Sequence, residues 1–245
     1  MGGGGAAEAR IRLAASLDRA EIEADFADAM ERSDRVEWEP REGVVIARRE
    51  DRLGALVLAR RPLAVPDPAA VGAAVLDGLR RDGLDALPWN EEARTFRARV
   101  AFLRGLPGEA ELWPDLSDTA LADSMDDWLG PYLAGIARRS QFATIPLRQA
   151  LEARLDWEQR RRLDQGAPER LTVPTGSSLR IDYSESPPVL AVKLQEMFGA
   201  RETPAVGWGQ VPVVLHLLSP AGRPLQVTQD LEGFWRGSYA QVKAE

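Results

Sequence analysis

A single histidine, His216, and a complete absence of cysteine set narrow limits on the chemistry this 245-residue chain can do. Without cysteine there is no disulfide framework, thiolate nucleophile or thiolate metal site. One histidine excludes a multi-histidine metal cluster, and any histidine-based triad would have to be built on His216. His216 itself lies between Leu215 and Leu217 in an apolar run and reads as a core residue of a strand. No G-x-x-x-x-G-K-[ST] loop exists; Pro174-Thr175-Gly176-Ser177-Ser178 lacks the lysine and the length needed to cradle phosphates. Gly207-Trp208-Gly209 has no third glycine in place for a dinucleotide fingerprint, and G-x-S-x-G and H-E-x-x-H are both missing. Asp126-Asp127 falls within a helical pattern and reads as a solvated face. Glu196, Asp230 and Glu232 show no spacing that would pair them for acid–base work.

The arginine–aromatic groupings remain. Near the end of the chain Phe234, Trp235, Arg236 and Tyr239 mix stacking faces with a cation, as single-stranded nucleic-acid sites do. The alternative is that Phe234 and Trp235 anchor a last helix in the core. Arg160-Arg161-Arg162 and Arg138-Arg139 are of the type that touches phosphate, although a solvated helix face accounts for them equally. Arg48-Arg49 and Arg60-Arg61 fall on or beside strands, with Glu50 and Asp51 as acidic neighbours. The candidate nucleic-acid contacts are Arg48, Arg49, Arg160, Arg161, Arg180, Lys193, Trp235, Arg236 and Tyr239; Arg180 and Lys193 are polar groups that a C-terminal sheet could present outward. The net charge of −7 gives no global field for nucleic acid, so any attraction has to be local. Lys193 and Lys243 are the only lysines, so such patches are built from arginine, which grips phosphate in a planar fork.

Three groups of elements must position these residues. Ala9 to Leu17 alternates like a half-exposed strand, and Asp18 then caps a helix with Ile22, Phe26 and Met30 on one face. Val36 to Glu39, Gly43 to Arg49 and Leu53 to Arg60 follow as strands, so residues 1–65 read as part of a small barrel behind a glycine leader. Residues 66–168 turn helical. Pro68 starts one helix, Asn90 caps another carrying Ala93, Phe96, Val100 and Leu103 with arginines on its other faces, and Ser117 caps a third that runs to Gly130. Leu147, Leu151 and Leu155 form a further stripe leading to Trp157. Residues 169–245 alternate strand and helix. Leu171 to Val173, Ser178 to Tyr183, Val211 to Leu218 and Pro224 to Thr228 are strands, while Val189 to Phe198 and Leu231 to Val242 are helices. The expected class is α+β: a partial OB-like β-barrel, a helical segment and a C-terminal mixed α/β module.

Several long strings carry a resemblance: LPWNEEARTFRARVAFLR (Leu87 to Arg104), WPDLSDTAL (Trp113 to Leu121), DWEQRRRLDQGAPERLTVPTGSSLRIDYS (Asp156 to Ser184), PPVLAVKLQEMFG (Pro187 to Gly199) and VPVVLHLLSPAGRPLQVTQDLEGFWRGSYAQVKAE (Val211 to Glu245). With them the chain from about Leu84 onward resembles the C-terminal region of the bacterial HrpB-type ATP-dependent helicases of the DEAH/RHA class. Residues 8–64 resemble the region just upstream, the later part of an OB-like barrel. The resemblance implies an accessory helicase region that meets single-stranded RNA or DNA or docks on the motor domains. The family's P-loop, DExH box and arginine finger have no counterpart here, so no catalytic residue carries over. ATP and magnesium would belong to the motor domains, with no cofactor in this chain, and the chain is expected to be inactive alone and to represent a fragment. A protein-interaction module without nucleic-acid binding is the alternative. No apolar run approaches the roughly eighteen residues that cross a bilayer, and MGGGGAAEAR lacks the basic and apolar regions of a signal peptide, so a cytoplasmic setting without membrane partners is expected.

Overall fold

The computed structural model describes residues 18–237 and 239; the strand expected over 9–17 and the end of the last helix lie outside them. Asp18 accepts from the Ala20 N–H and starts helix α1 (Arg19–Asp25). The expected stripe through Met30 does not form. A 3-10 turn at Ala27–Ala29 ends the helix, Phe26 stays 51% exposed, and Met30 opens a strand.

Strands β1 (Met30–Glu39), β2 (Val44–Leu53) and β3 (Leu56–Pro62) form an antiparallel meander in that order. They are longer than the apolar pattern suggests because oppositely charged residues pair across them, as Asp34 does with Arg49 and Glu37 with Arg48. Gly43, at φ +62, gives the left-handed turn between β1 and β2. The sheet stays open, and no closed barrel is present among the described residues.

Helix α2 (Pro68–Asp82) has Pro68 in its first turn and Asp67 accepting from Ala69 N–H. It lies against β1, where Trp38 is buried, stacks on Phe142 at 5.7 Å, and faces Gly78 so closely that a Cβ there would meet the indole at 2.6 Å. Helix α3 (Glu91–Arg104) begins at the expected Asn90 cap and buries Ala93, Phe96, Val100 and Leu103. Arg99 shares that buried face, three residues after Phe96, instead of lying on an outer one. The segment after Ser117 divides into α4 (Asp118–Asp123) and α5 (Met125–Trp128) at Ser124, whose Oγ donates to the Ala120 carbonyl at 2.7 Å. The Leu147/Leu151/Leu155 stripe is likewise interrupted. Helix α6 (Leu147–Glu152) stops, and α7 (Trp157–Gly166) starts afresh from a capping box in which Asp156 and Gln159 satisfy each other's backbone N–H.

The C-terminal part contains a hairpin of β4 (Arg170–Thr172) and β5 (Ser178–Arg180), then β6 (Val189–Lys193). A short pair follows, β7 (Ala205–Val206) with β8 (Val211–Pro212), and then β9 (Val214–Leu218), β10 (Pro224–Thr228) and α8 (Leu231–Arg236), capped by Asp230. β9 is the centre of a β10-β9-β6 sheet, parallel to β6 and antiparallel to β10. The helix expected over Val189 to Phe198 is thus a strand followed by a 3-10 turn at Leu194–Met197. Leu190 and Val192 are buried while Ala191 and Lys193 are exposed, the period of two that a short apolar run conceals. The same alternation corrects His216. Leu215 and Leu217 are buried on one face, and His216 lies half-buried on the other, beside Val227 of β10. One apolar core runs from Trp38 through the helices to Phe234, which makes the architecture α+β.

Candidate nucleic-acid interface

The sheet β1–β3 carries two acidic residues, Glu50 and Asp51, that are almost wholly covered. Neighbours along a strand point to opposite faces, so each acid meets its own set of arginines. Glu50 lies near Arg48 at 3.3 Å, Arg52 at 2.9 Å and Arg60 at 3.0 Å. Asp51 meets Arg32 at 3.0 Å, Arg61 at 3.2 Å and Arg19 at 3.7 Å. What covers the acids is the arginine side chains themselves, so the clusters are surface structures. Desolvation works to raise the Glu50 carboxyl, but hydrogen bonds from Arg60 and Arg52, with the charges of Arg60 and Arg48, hold it below its ordinary 4.5. The Arg32 hydrogen bond outweighs desolvation at Asp51 and holds that carboxyl below 3.8. Arg49 binds Asp34 through both fork nitrogens, at 2.6 and 2.8 Å, and lowers the Asp34 carboxyl likewise. Arg48 and Arg49 are therefore each engaged with carboxylates.

Trp235, Arg236 and Arg180 are engaged as well. Trp235 donates from Nε1 to the Ala200 carbonyl at 3.0 Å, and its ring packs edge-on to Phe234 at 5.1 Å and Tyr239 at 5.2 Å. Phe198 completes this cluster at 6.0 Å from Trp235. Arg236 pairs with Glu232 one turn back, and Arg180 pairs with Glu91 at the start of α3. Lys193 is exposed at the end of β6, where its backbone N–H donates to Glu196 at 3.3 Å. Arg48 and Arg49, the Trp235/Arg236/Tyr239 cluster, and Arg180 thus lie on β2, at the C-terminal helix and on β5 respectively.

Helix α7 differs from these surfaces. Trp157, in its first turn, is 74% exposed, and the Arg161 guanidinium lies over its ring at 5.3 Å from the centroid. Arg160 is exposed and its Nε donates to the Leu155 carbonyl at 3.1 Å, which holds the side chain in place. Among the described residues, no carboxylate lies within 4.0 Å of the guanidinium of Arg154, Arg160 or Arg161. The other two acids of this stretch are occupied: Asp156 caps α7, and Asp164 takes Arg99 at 2.7 Å. Glu158 is the remaining acid of the helix. On the far side of α7, Arg162 is clamped between Trp113 at 5.8 Å and Trp208 at 5.3 Å, and its Nη2 donates to both carboxylate oxygens of Glu109 at 2.9 and 3.0 Å. Trp208 stands at φ +56 between two left-handed glycines, and its indole lies on Gly166, where a Cβ would come within 2.7 Å.

Sequence reasoning selected Arg160 and Arg161 but passed over Trp157 and Arg154. The available signal was spacing: with 3.6 residues per turn, positions 157, 160 and 161 share one arc of a helix. The α7 axis is set from the far end by Arg99. Its guanidinium donates to the Ala167 carbonyl at 2.5 Å, to Asp164, and to Glu169 at 2.9 Å.

The sequence has no phosphate loop, and no group of three or more histidine or acidic residues converges among the described residues. No helix among them is long and apolar enough to cross a membrane.

Residues 128–245 match the family described as ATP-dependent helicase C-terminal (HrpB_C), and residues 30–63 match the ATP-dependent RNA helicase HrpB connector region. A curated relative, ATP-dependent RNA helicase HrpB of Escherichia coli strain K12, is 39% identical over 244 residues, which is 99% of this chain and 30% of that protein. The crystal structure of the E. coli DExH-box NTPase HrpB superposes with a TM-score of 0.71 at 38% identity, over 94% of this chain and 28% of that one. A second crystal structure, of the E. coli DEAH/RHA helicase HrpB, gives 0.70 at 38% identity over 89% and 28%. The chain therefore spans about 30% of the length of the relative it matches.

Proposed function

The chain belongs to the HrpB-type helicases, whose connector and C-terminal regions it matches, and from that premise we propose that it is an accessory region contacting single-stranded RNA or DNA beside an ATP-driven motor. The observation that carries the proposal is at the start of α7: among the described residues no carboxylate lies within 4.0 Å of Arg160 and Arg161 on the helix or of Arg154 in the turn before it, while Arg48, Arg49, Arg180 and Arg236 are each paired. Unpaired guanidinium groups around an exposed indole are what a phosphate backbone and its bases require. ATP and magnesium belong to the motor domains in this reading, and the setting is cytoplasmic. The open sheet β1–β3 contributes as part of an OB-like fold, and the units are 1–65, 66–168 and 169–245.

The test is fluorescence anisotropy of a labelled single-stranded 20-mer, RNA and DNA separately, titrated with the chain at about 50 and 200 mM salt. Binding at low salt that weakens steeply at high salt is expected. No binding at low salt, or binding indifferent to salt, refutes the proposal. A second reading, docking on the motor domains, is favoured by the net charge of −7. It is supported instead if the chain binds separately purified motor domains through high salt and binds no oligonucleotide.

A further inference from the structure

We infer that Trp157 is a stacking platform for one unpaired nucleobase, with Arg160 and Arg161 holding the adjoining phosphates. The inference rests on the nucleic-acid reading above and goes beyond it in naming the moiety recognised and the residue that recognises it.

Three observations converge on Trp157. An indole of this size is normally sheltered from water, and the other tryptophans of this fold are placed accordingly. Trp38, Trp113 and Trp128 are buried, Trp89 and Trp235 donate their Nε1 hydrogen to carbonyls, and Trp208, 39% exposed, lays its ring on Gly166 and against the Arg162 guanidinium. Trp157 is 74% exposed. The backbone that carries it is nevertheless fixed, because the Asp156/Gln159 capping box holds the first turn of α7 and Gln159 also donates to the Leu112 carbonyl at 2.7 Å, and the Arg161 guanidinium lies over the ring. A platform held in place loses little freedom when a base stacks on it.

The second observation is angular. At about 100° per residue, Arg160 and Arg161 stand about 60° and 40° to either side of Trp157 around the helix. One ring face is backed by Arg161 at 5.3 Å, which leaves the other as the open π surface. Every base offers a face for such stacking, so the contact is tolerant of sequence. A base inside a duplex has both faces occupied, so the same contact selects single strands. The third observation is charge. Asp156 caps the helix and Asp164, which lies on the same arc, is paired with Arg99, while Glu158 stands about 100° round the helix from Trp157, so the arc carries two guanidinium groups on a chain that is acidic as a whole. Local positive charge around an aromatic face fits a polyanion with exposed bases better than an apolar protein surface.

The experiment uses the full chain, with a fluorescein-labelled oligouridylate 12-mer, an oligothymidylate 12-mer and a 12-base-pair duplex. Anisotropy is read for wild type, Trp157→Ala and Trp157→Phe, with circular dichroism to check folding. Because the indole is exposed, both variants should melt with the wild type. The inference predicts that Trp157→Ala weakens single-strand binding roughly five- to a hundredfold, that Trp157→Phe recovers most of it, and that the duplex binds more weakly than either single strand. Wild-type binding that Trp157→Ala leaves unchanged overturns the platform while leaving the accessory function standing. Equal loss on the single strand and the duplex overturns base stacking. Failure of the wild type to bind either single strand overturns the functional proposal itself.

Discussion

Replacing Arg99 with methionine tests how helix α7 is held. The guanidinium is 1% exposed and satisfies the Ala167 carbonyl at 2.5 Å, while the Leu163 carbonyl lies at 3.5 Å, the limit of a hydrogen bond. Its acidic partners are less dependent on it. Asp164 has a side chain 76% exposed and can turn to water, and Glu169 keeps Arg148 at 3.2 Å. Methionine retains the apolar stem along α3, so cavity formation is minor. The principal loss is a buried carbonyl left without a donor, about 1–3 kcal/mol, together with a charge-assisted bond of about 1.5–3 kcal/mol. Release from burying the charge offsets part of this, so the net loss is about 2–3 kcal/mol. With a urea m-value of roughly 2–3 kcal/mol/M, the midpoint should fall by about 1 M, read from tryptophan fluorescence. Asp164→Asn should move it far less, because an exposed ion-pair partner contributes under about 1 kcal/mol. An unchanged midpoint for Arg99→Met, or an equal drop for Asp164→Asn, would refute the assignment of the stability to carbonyl capping.

Three further outcomes follow from the same geometry. Gly78→Ala places a methyl 2.6 Å from the Trp38 ring; overpacking of about 1–3 kcal/mol should exceed the helix-propensity gain and lower the melting temperature by several degrees. Asp34, Glu50 and Asp51 all have folded-state pKa values below their ordinary 3.8, 4.5 and 3.8. The stability they contribute is present above those ordinary values and is lost as pH falls through the folded ones, so melting temperature should hold from pH 7 to about 5 and fall below about 4, less steeply in Asp51→Asn. The chain alone should release no phosphate from ATP above background in a colorimetric assay; measurable turnover would contradict the reading that ATP hydrolysis belongs to the motor domains.

Local chemistry was the legible part of the sequence. Asp18, Asn90 and Ser117 cap helices because a side-chain oxygen reaching an N–H two or three residues ahead needs nothing from the rest of the fold. The Val211 to Leu218 run was readable as a strand from its apolar content, although its start divides at Val213. β6 was not, because five apolar-rich residues suit a buried strand and a helix segment equally and its parallel partner lies 25 positions away at Val214. Arginine pairing was the least legible feature. Arg49 meets Asp34 across a hairpin, and Arg180 meets Glu91 from 89 residues away, distances at which sequence gives no register. Hence Arg48 and Arg160 looked alike as candidates, and only the folded chain separates a guanidinium beside carboxylates from one without. Trp157 was hidden for a related reason: an aromatic at a helix start reads as core until its neighbours are known.

The most direct test of the functional account is the salt dependence of single-strand binding in the variant Arg154→Gln/Arg160→Gln/Arg161→Gln. Each phosphate contact contributes about 0.7 to the slope of log K against log salt for a single strand. The account predicts that the slope becomes shallower by about 2 while the variant melts with the wild type. A folded variant whose slope equals that of the wild type would contradict it and place the phosphate contacts elsewhere on the chain.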